Sequence, residues 1–476
     1  MKKITKSVLS IFLAVTLMFG TLMSNSLALT ADKSWEDYYS SYMEDGSAVF
    51  MSPGSDDTQR NFTWYSPLKS GKCSVLVSEN EDFSDAVSYS GSYVRTPQGD
   101  RSNKVTVTNL KADTTYYYKC VTDYKTTEAA SFKTHSASSF TAMYVTDIHL
   151  STNEDGDENS LMNHAYTFNE VAKKAEQKSQ NGLDLVISSG DQASYGLRKE
   201  YMSLASSTVL NSVPFALCVG NHDRKGSAYK FFNNNPNKYT KGLSSYIGND
   251  YWYVKGDVLF MVFDSNNYAA QTHYAFAKSA VKANPDVKWR VAVMHHDMYG
   301  RLTDSRIDDA EKNRRPAFTD IFDDFGIDIA FLGHSHYYSI SNAVYDNETV
   351  DDLKGKDSVT DAKGTIFMVS GSINHPRGDK STYDIPLCEQ NAFSYVSEQP
   401  IYNIVDFSEN SISIKSYEID GSEPFNTFTI NKTTNAGGHP EAETSPLDFI
   451  VRGWHEFRAA FEEFGIMVKV VFANKD

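Results

Sequence analysis

The sequence predicts an α/β layered domain behind a small N-terminal β-sandwich. Over residues 46–135 the pattern is short, alternating and turn-rich, as in Asn61-Phe62-Thr63-Trp64-Tyr65, Cys73-Ser74-Val75-Leu76-Val77 and Lys104-Val105-Thr106-Val107-Thr108, which reads as half-buried strands. Over 138–430, five apolar runs (141–146, 183–188, 213–219, 290–294 and 327–332) alternate with helix-length amphipathic stretches such as 161–180 and 315–325, the texture of a layered α/β domain. Stretches 251–263 and 401–419 read instead as antiparallel hairpins, which requires more than one sheet.

At 476 residues the chain exceeds what one core holds, so at least two folding units are expected. Its composition, 40% hydrophobic and 22% charged, is that of an ordinary globular protein. Lys2, Lys3 and Lys6, an apolar run over 8–23 and the small-residue tripeptide Ser26-Leu27-Ala28 have the layout of a signal peptide, giving a secreted or cell-surface protein cleaved after Ala28. Cleavage removes those three lysines and no acid, taking the formal net charge from −16 to −19. Such a field repels polyanions and makes a nucleic-acid polymer a poor partner. Four cysteines are too few for a disulfide scaffold. Cys73 and Cys120 share the N-terminal unit, where export would permit a bridge, and Cys218 in its apolar run reads as a buried free thiol. The segment from Leu110 through Tyr116 to Cys120 resembles the tyrosine corner of fibronectin type III-like domains.

Each of the five apolar runs leads into residues suited to hold a metal: Asp147-Ile148-His149, Gly190-Asp191, Gly220-Asn221-His222-Asp223, His295-His296 and Gly333-His334-Ser335-His336. Strand carboxyl ends converge on one crevice in open α/β sheets, so loops spread over 147–336 can meet at one place. Carboxylate, amide oxygen and neutral imidazole suit zinc, iron or manganese. An oxygen-seeking ion such as calcium has no need of the histidines. The glycines before Asp191, Asn221 and His334 permit sharp turns that aim a ligand inward. Any one block alone reads as a solvated turn; five at five strand ends do not arise from independent coincidence.

In their order the five blocks resemble the signature of calcineurin-like metallophosphoesterases, and the sandwich followed by this domain, over 46–430, is similar to the layout of purple acid phosphatases. The resemblance implies a four-layer α/β/β/α domain, two divalent or trivalent ions (iron, zinc or manganese) and hydrolysis of a small phosphate ester, a monoester before a diester, by a metal-bridging hydroxide. Carried over by position, Asp147, His149, Asp191 and His336 would hold the first ion, and Asp191, Asn221, His295 and His334 the second, with Asp191 bridging. His295 directly follows its apolar run, the place of the family's ligand, which leaves His296 toward substrate. His222 would face the scissile oxygen as proton donor or charge stabiliser, with Asp223 holding its tautomer. Arg224 and Tyr195 are further candidates around the substrate, and Asn374-His375, after an apolar run at 365–369, for a wall of the crevice. Purple acid phosphatases carry Asp-x-Gly in the first block and a metal-binding tyrosine three residues after the second-block aspartate, which colours the iron. Here those positions are His149 and Ser194, so His149 is expected to replace the tyrosine and leave the site colourless.

Beyond a loop-like segment at 431–446, the apolar residues Ile450, Trp454, Phe457, Phe461, Phe464, Val468 and Val471 draw one stripe along a helix over 447–472, with a stop expected near Gly465. Packing on its own domain is the first expectation for that stripe. Self-association and contact with a membrane surface are the alternatives, the latter weakened because Arg452, Arg458 and Lys469 are balanced by Glu456, Glu462 and Glu463. Two rival functions use the same residues: a diesterase with shared metal ligands, and a binding or adhesion protein with a degenerate enzyme domain, although no ligand position is lost.

Overall fold

The computed structural model describes residues 29–135, 139–152, 158–243, 245–378, 384–433 and 446–473. The leader at 1–28 and most of the 431–446 segment lie outside the described residues. Period-2 alternation produces the first unit. Strands Phe50–Pro53, Arg60–Ser66, Arg101–Val107 and Ser92–Arg95 form one antiparallel sheet; Val87–Ser90, Cys73–Ser78, Thr115–Thr122 and Ala130–Lys133 form the other. Phe62, Trp64, Val75, Val105 and Tyr118 point between them into one core. The Tyr116 hydroxyl accepts the backbone N–H of Lys111 at 2.8 Å and closes the loop ahead of its strand, as a tyrosine corner does. Cys73 and Cys120 lie on neighbouring strands as free thiols, and Cys218 and Cys388 are free as well.

A helix at Lys33–Asp45 is absent from the sequence expectations. Asp32 caps it by accepting from Trp35 N at 2.8 Å, and Trp35 and Tyr39 bury against the second unit, where the Tyr39 hydroxyl meets Ser203 Oγ at 2.6 Å.

The second unit stacks two mixed sheets. One runs in the order Phe215–Leu217, Leu185–Ser188, Ser139–Val145, Ile401–Ser408, Ser411–Glu418, Asn426–Asn431, Ser358–Thr360. The other runs Tyr251–Lys255, Val258–Val262, Trp289–Val293, Ile329–Leu332, Thr365–Val369, Tyr338–Tyr345, Glu348–Asp351. Tyr144, Ile187 and Ala216 of the first pack on Phe260, Val291 and Phe331 of the second. Helix Glu158–Lys178 covers the outer face of the first sheet with Leu161, Phe168 and Val171, and helices Ala270–Ala283 and Arg315–Asp324 cover the second with Phe276, Phe318 and Ile321. The result is the four-layer α/β/β/α arrangement. The strands preceding the ligand blocks are parallel within each sheet, three in one and two in the other, so their carboxyl ends open on the same side.

The tail departs from expectation twice. Helix Pro446–Ala473 continues through Gly465, because Ile466 and Val470 still pack on the domain beyond it and tertiary contact outweighs the glycine's propensity. Its apolar stripe does not pack on the domain; the opposite, polar face does. Among the described residues no helix is long and apolar enough to cross a membrane.

Candidate metal centre

Backbone conformation sets the ligand blocks apart. Asp147 and His149 (φ 49° each), Asp191 (53°), His334 (72°) and His336 (66°) all occupy the left-handed region, which a non-glycine residue enters at a cost of about 1–3 kcal/mol. Neighbouring loops hold them there: Asp147 N–H donates to Gly190 O at 3.0 Å and His149 N–H to Asp191 O at 2.9 Å. The glycines act differently from the expectation. Of Gly190, Gly220 and Gly333, Gly190 alone has a positive φ, 117°. A Cβ on Gly220 would come within 2.1 Å of Asp191 Oδ1, and on Gly333 within 2.1 Å of Thr146 Oγ1, so these two are needed for close approach rather than for turning.

The loops bring all seven sequence-predicted ligands together. Asp147, His149 and His336 form one group and Asp191, His295 and His334 another, the donor atoms of each within 4.8 Å of one another. His336 Nε2 lies 3.1 Å from Asp147 Oδ1; Asp191 Oδ2 lies 3.7 Å from His149 Nε2 and 3.2 Å from His295 Nε2, between the two groups. Asn221 Oδ1 approaches His295 Nε2 at 3.0 Å.

Cations fit this donor set. His295 Nδ1 faces the Ser189 carbonyl at 3.1 Å and His336 Nδ1 the His375 carbonyl at 3.0 Å, so each Nδ1 donates and each Nε2 turns a lone pair inward. Those lone pairs meet further acceptors: Asn221 Oδ1 and Asp191 Oδ2 in one group, and Asp147 Oδ1, a buried oxygen with no hydrogen-bond partner, in the other. The site asks for positive charge: burial opposes it on His295, yet Asp191 and Asp147 push that imidazole up to about 9. Asp147 is held well below the usual carboxylate range, burial being overcome by His336 and His149. A divalent ion meets the same demand by taking the proton's place.

Several roles need correction. Asp223 does not touch the His222 imidazole; its carboxylate accepts the N–H groups of Asp191 (2.9 Å), Ala193 (3.1 Å) and Gly220 (2.8 Å) and the Tyr201 hydroxyl (2.6 Å), tying the second block to the third. His222 Nδ1 instead lies 3.0 Å from Ser194 O and 2.7 Å from Lys225 Nζ. Burial pushes His222 down to about 4, so the ring is neutral at pH 7. Arg224 is not available to a substrate: it is 6% exposed and paired with Glu463 of the C-terminal helix. His296 is 5% exposed, with Nδ1 against Ser265 Oγ at 2.9 Å and its ring 4.6 Å from that of His334, so it backs the ligand shell rather than facing open crevice. Tyr195 is exposed on the rim, with Lys225 Nζ 5.5 Å from its ring centre. Ser194, at the position of the purple enzymes' tyrosine, lies against His149, Oγ to Nδ1 3.4 Å.

The pair Asn374-His375 divides, and one further residue escapes the sequence reading. Asn374 is buried and donates to Ile148 O at 2.7 Å, which leaves His375, its ring 5.0 Å from that of His149, as the wall. Arg306, in the short helix Asp304–Asp309 and part of no motif, has a buried Nη1 with no partner and interacts electrostatically with Asp147, His334 and Arg377.

An α/β/β/α domain that gathers carboxylate, amide and imidazole donors at its strand ends is that of a metal-dependent phosphoester hydrolase. Residues 140–338 match the family model for calcineurin-like phosphoesterases, and residues 47–134 match that for the purple acid phosphatase N-terminal domain. The protein thus joins a calcineurin-like phosphoesterase domain to an N-terminal domain of the purple acid phosphatase type. Among solved structures it is similar to the purple acid phosphatase PPD1 of yellow lupin (Lupinus luteus) seeds, at 12% identity over 83% of this chain and 77% of that one, with a TM-score of 0.64. It is also similar to PhoD, at 13% identity over 87% and 97%, with a TM-score of 0.52. At such identities the likeness is one of fold. No curated protein matches the chain in sequence.

Proposed function

We propose that this is an exported phosphomonoesterase with two metal ions, held by Asp147, His149, Asp191 and His336 on one side and by Asp191, Asn221, His295 and His334 on the other. The observation that carries the reading is the confrontation of acceptors: His149 Nε2 against His336 Nε2 at 3.2 Å and His295 Nε2 against Asn221 Oδ1 at 3.0 Å, a geometry that only a shared proton or a cation relieves. Bound there, the ions supply Lewis acidity and an acidified water for in-line displacement at phosphorus.

The chain's own residues do the rest. Asp191 Oδ2 is shared by both groups, while its Oδ1 accepts the N–H of His222 at 2.8 Å and fixes that loop over the crevice. His222, neutral at pH 7, then stabilises the charge on the leaving oxygen as a hydrogen-bond donor through Nε2, its Nδ1 accepting from Lys225 Nζ. Arg306 and Lys225 are placed to offset the two charges of a monoester, which favours it over a diester. Lys2, Lys3, Lys6 and the apolar run after them support export, for which N-terminal sequencing of protein collected outside the cell, starting at Leu29, is the check.

The deciding assay is hydrolysis of p-nitrophenyl phosphate and bis-p-nitrophenyl phosphate by metal-analysed protein, beside Asp191→Ala. Loss of turnover together with loss of bound metal in the variant is the expected result. A preference for the diester would transfer the assignment to a diesterase. A wild-type protein that binds no metal and turns over neither ester would leave the binding-protein reading standing.

A further inference from the structure

More than half of the exposed large hydrophobic residues among the described residues sit on one helix. Ten of nineteen belong to Pro446–Ala473, among them Trp454, Phe457, Phe461 and Phe464, each at least 56% exposed. Singly exposed apolar residues need no explanation, but a continuous aromatic stripe does. The helix is not free to roll it inward. Its polar face is fastened by Glu463 to Arg224, by Glu456 to Thr272 N at 3.1 Å, by Arg458 to Asn313 Oδ1 at 2.7 Å and by Arg452 stacked 4.4 Å over Tyr274.

A second observation lies beside it. A cavity of about 560 Å³ opens between Phe464 and Met467 of the helix and a cluster of Lys104, Lys230 and Lys238. Among the described residues Glu463 is the one acid lining this cavity, and Arg224 engages it. Lys104 Nζ rests on the carbonyls of Lys230 and Asn233, and Lys230 Nζ on the Tyr246 ring at 4.4 Å, so no carboxylate is shown answering these ammonium groups. Burial, with Lys238 and Lys230 adding repulsion, pushes Lys104 down to about 7, and an anion seated among the three would relieve that.

We propose that this face docks on a membrane surface containing anionic phospholipid, with the aromatic stripe at the acyl boundary and a lipid phosphate among Lys104, Lys230 and Lys238. Interfacial helices combine such a stripe with cations at headgroup depth. The arginines on this helix's own polar face, Arg452 and Arg458, are engaged with Tyr274 and Asn313, and the sandwich and the 230–238 stretch provide the cations instead. A second copy of the helix fits less well. Coiled-coil seams are flanked by paired charges, whereas Gly453, Ala460 and Met467 flank one side here and Val451, Gly465 and Phe472 the other, with Arg458 the only charge.

Flotation with vesicles tests the proposal, using the chain produced without residues 1–28 so that the apolar leader does not contribute; the fold described above begins at 29. Wild type is expected to float with phosphatidylcholine vesicles containing phosphatidylglycerol and to remain largely unbound with phosphatidylcholine alone. Phe457→Asp/Phe461→Asp and Lys230→Glu/Lys238→Glu should each lower the bound fraction roughly tenfold or more, with unfolding temperatures near wild type because all four side chains are exposed. A wild type that does not float with the anionic vesicles overturns the proposal without reference to any variant. Binding indifferent to phosphatidylglycerol and to the lysine pair overturns the headgroup site. A dimer in sedimentation velocity that Phe457→Asp/Phe461→Asp abolishes, without vesicle binding, assigns the stripe to a second copy instead.

Discussion

The buried guanidinium of Arg224 is paired with the buried carboxylate of Glu463, and the pair joins the loop bearing Asn221, His222 and Asp223 to the polar face of the C-terminal helix. Breaking one side of such a pair leaves an uncompensated buried charge, at a cost of about 3–5 kcal/mol. Glu463→Ala should therefore lower stability by that order in a denaturant titration, the more so because Glu463 also accepts Tyr246 N–H at 3.0 Å. Arg224→Met/Glu463→Leu should recover much of the loss. A single variant within about 1 kcal/mol of wild type, the level of a solvent-exposed pair, would mean that water reaches these charges.

Asp223 is the clamp of the site rather than the partner of His222. Alanine there strands the N–H groups of Asp191, Ala193 and Gly220 together with the Tyr201 hydroxyl. Metal affinity should fall roughly 10- to 100-fold, as for other groups that orient ligands, and titration of the metal-stripped protein measures it. A variant with normal affinity and slowed turnover would return Asp223 to the catalytic role inferred from the sequence.

His222→Ala should do the opposite: metal content unchanged, turnover slower by roughly 10²- to 10⁴-fold. The drop should shrink for esters with good leaving groups, which need less stabilisation of the leaving oxygen. Equal losses for poor and good leaving groups would count against a role at that oxygen.

The site was more legible than its surroundings because each ligand block follows a run of apolar strand residues, a local signal that parallel topology converts into convergence. Asp147, His149, Asp191, Asn221, His295, His334 and His336 could be named that way, and the two antiparallel hairpins showed that the domain has two sheets. Side-chain direction could not be read: Asp223, Arg224 and His296 lie close to candidate ligands in sequence yet turn toward Tyr201, Glu463 and Ser265. Arg306 carries no local pattern, and only the chain path brings it near Asp147. The Lys33–Asp45 helix had a signal that went unused, with Asp32 at its cap and Trp35, Tyr38, Tyr39 and Tyr42 at helical spacing. The tail's stripe was visible, but a hydrophobic pattern gives a face without saying what covers it.

Arg306 is expected to hold substrate phosphate. Arg306→Ala should raise KM for a monoester while leaving metal content intact, and a charge-assisted contact of this kind is worth about 1.5–3 kcal/mol, roughly 10- to 100-fold in kcat/KM. Lysine at 306 should restore only part, since it loses the guanidinium fork. An unchanged kcat/KM for Arg306→Ala would place the side chain outside the substrate's reach.

Asp323, far from the ligands at the end of helix Arg315–Asp324, gives the chain a pH-dependent weakness. Burial pushes its carboxyl up to about 7, with Asp346, Asp320 and Asp324 adding to the effect and the Asp346 N–H, donating at 2.9 Å, opposing it. The folded state therefore holds this proton more tightly than the unfolded chain, whose Asp titrates near about 3.9. A raised folded-state value means that the stability contribution is complete below about pH 4 and is lost as pH rises through about 7. Asp323→Asn keeps an acceptor for Asp346 N–H and removes the titration. The unfolding temperature of the variant should exceed that of wild type at pH 8, by a margin that grows from pH 4 to about 7 and then levels off. A margin constant across that range would mean that Asp323 ionises in the fold as easily as in water, and that water reaches the Asp323–Asp346 contact.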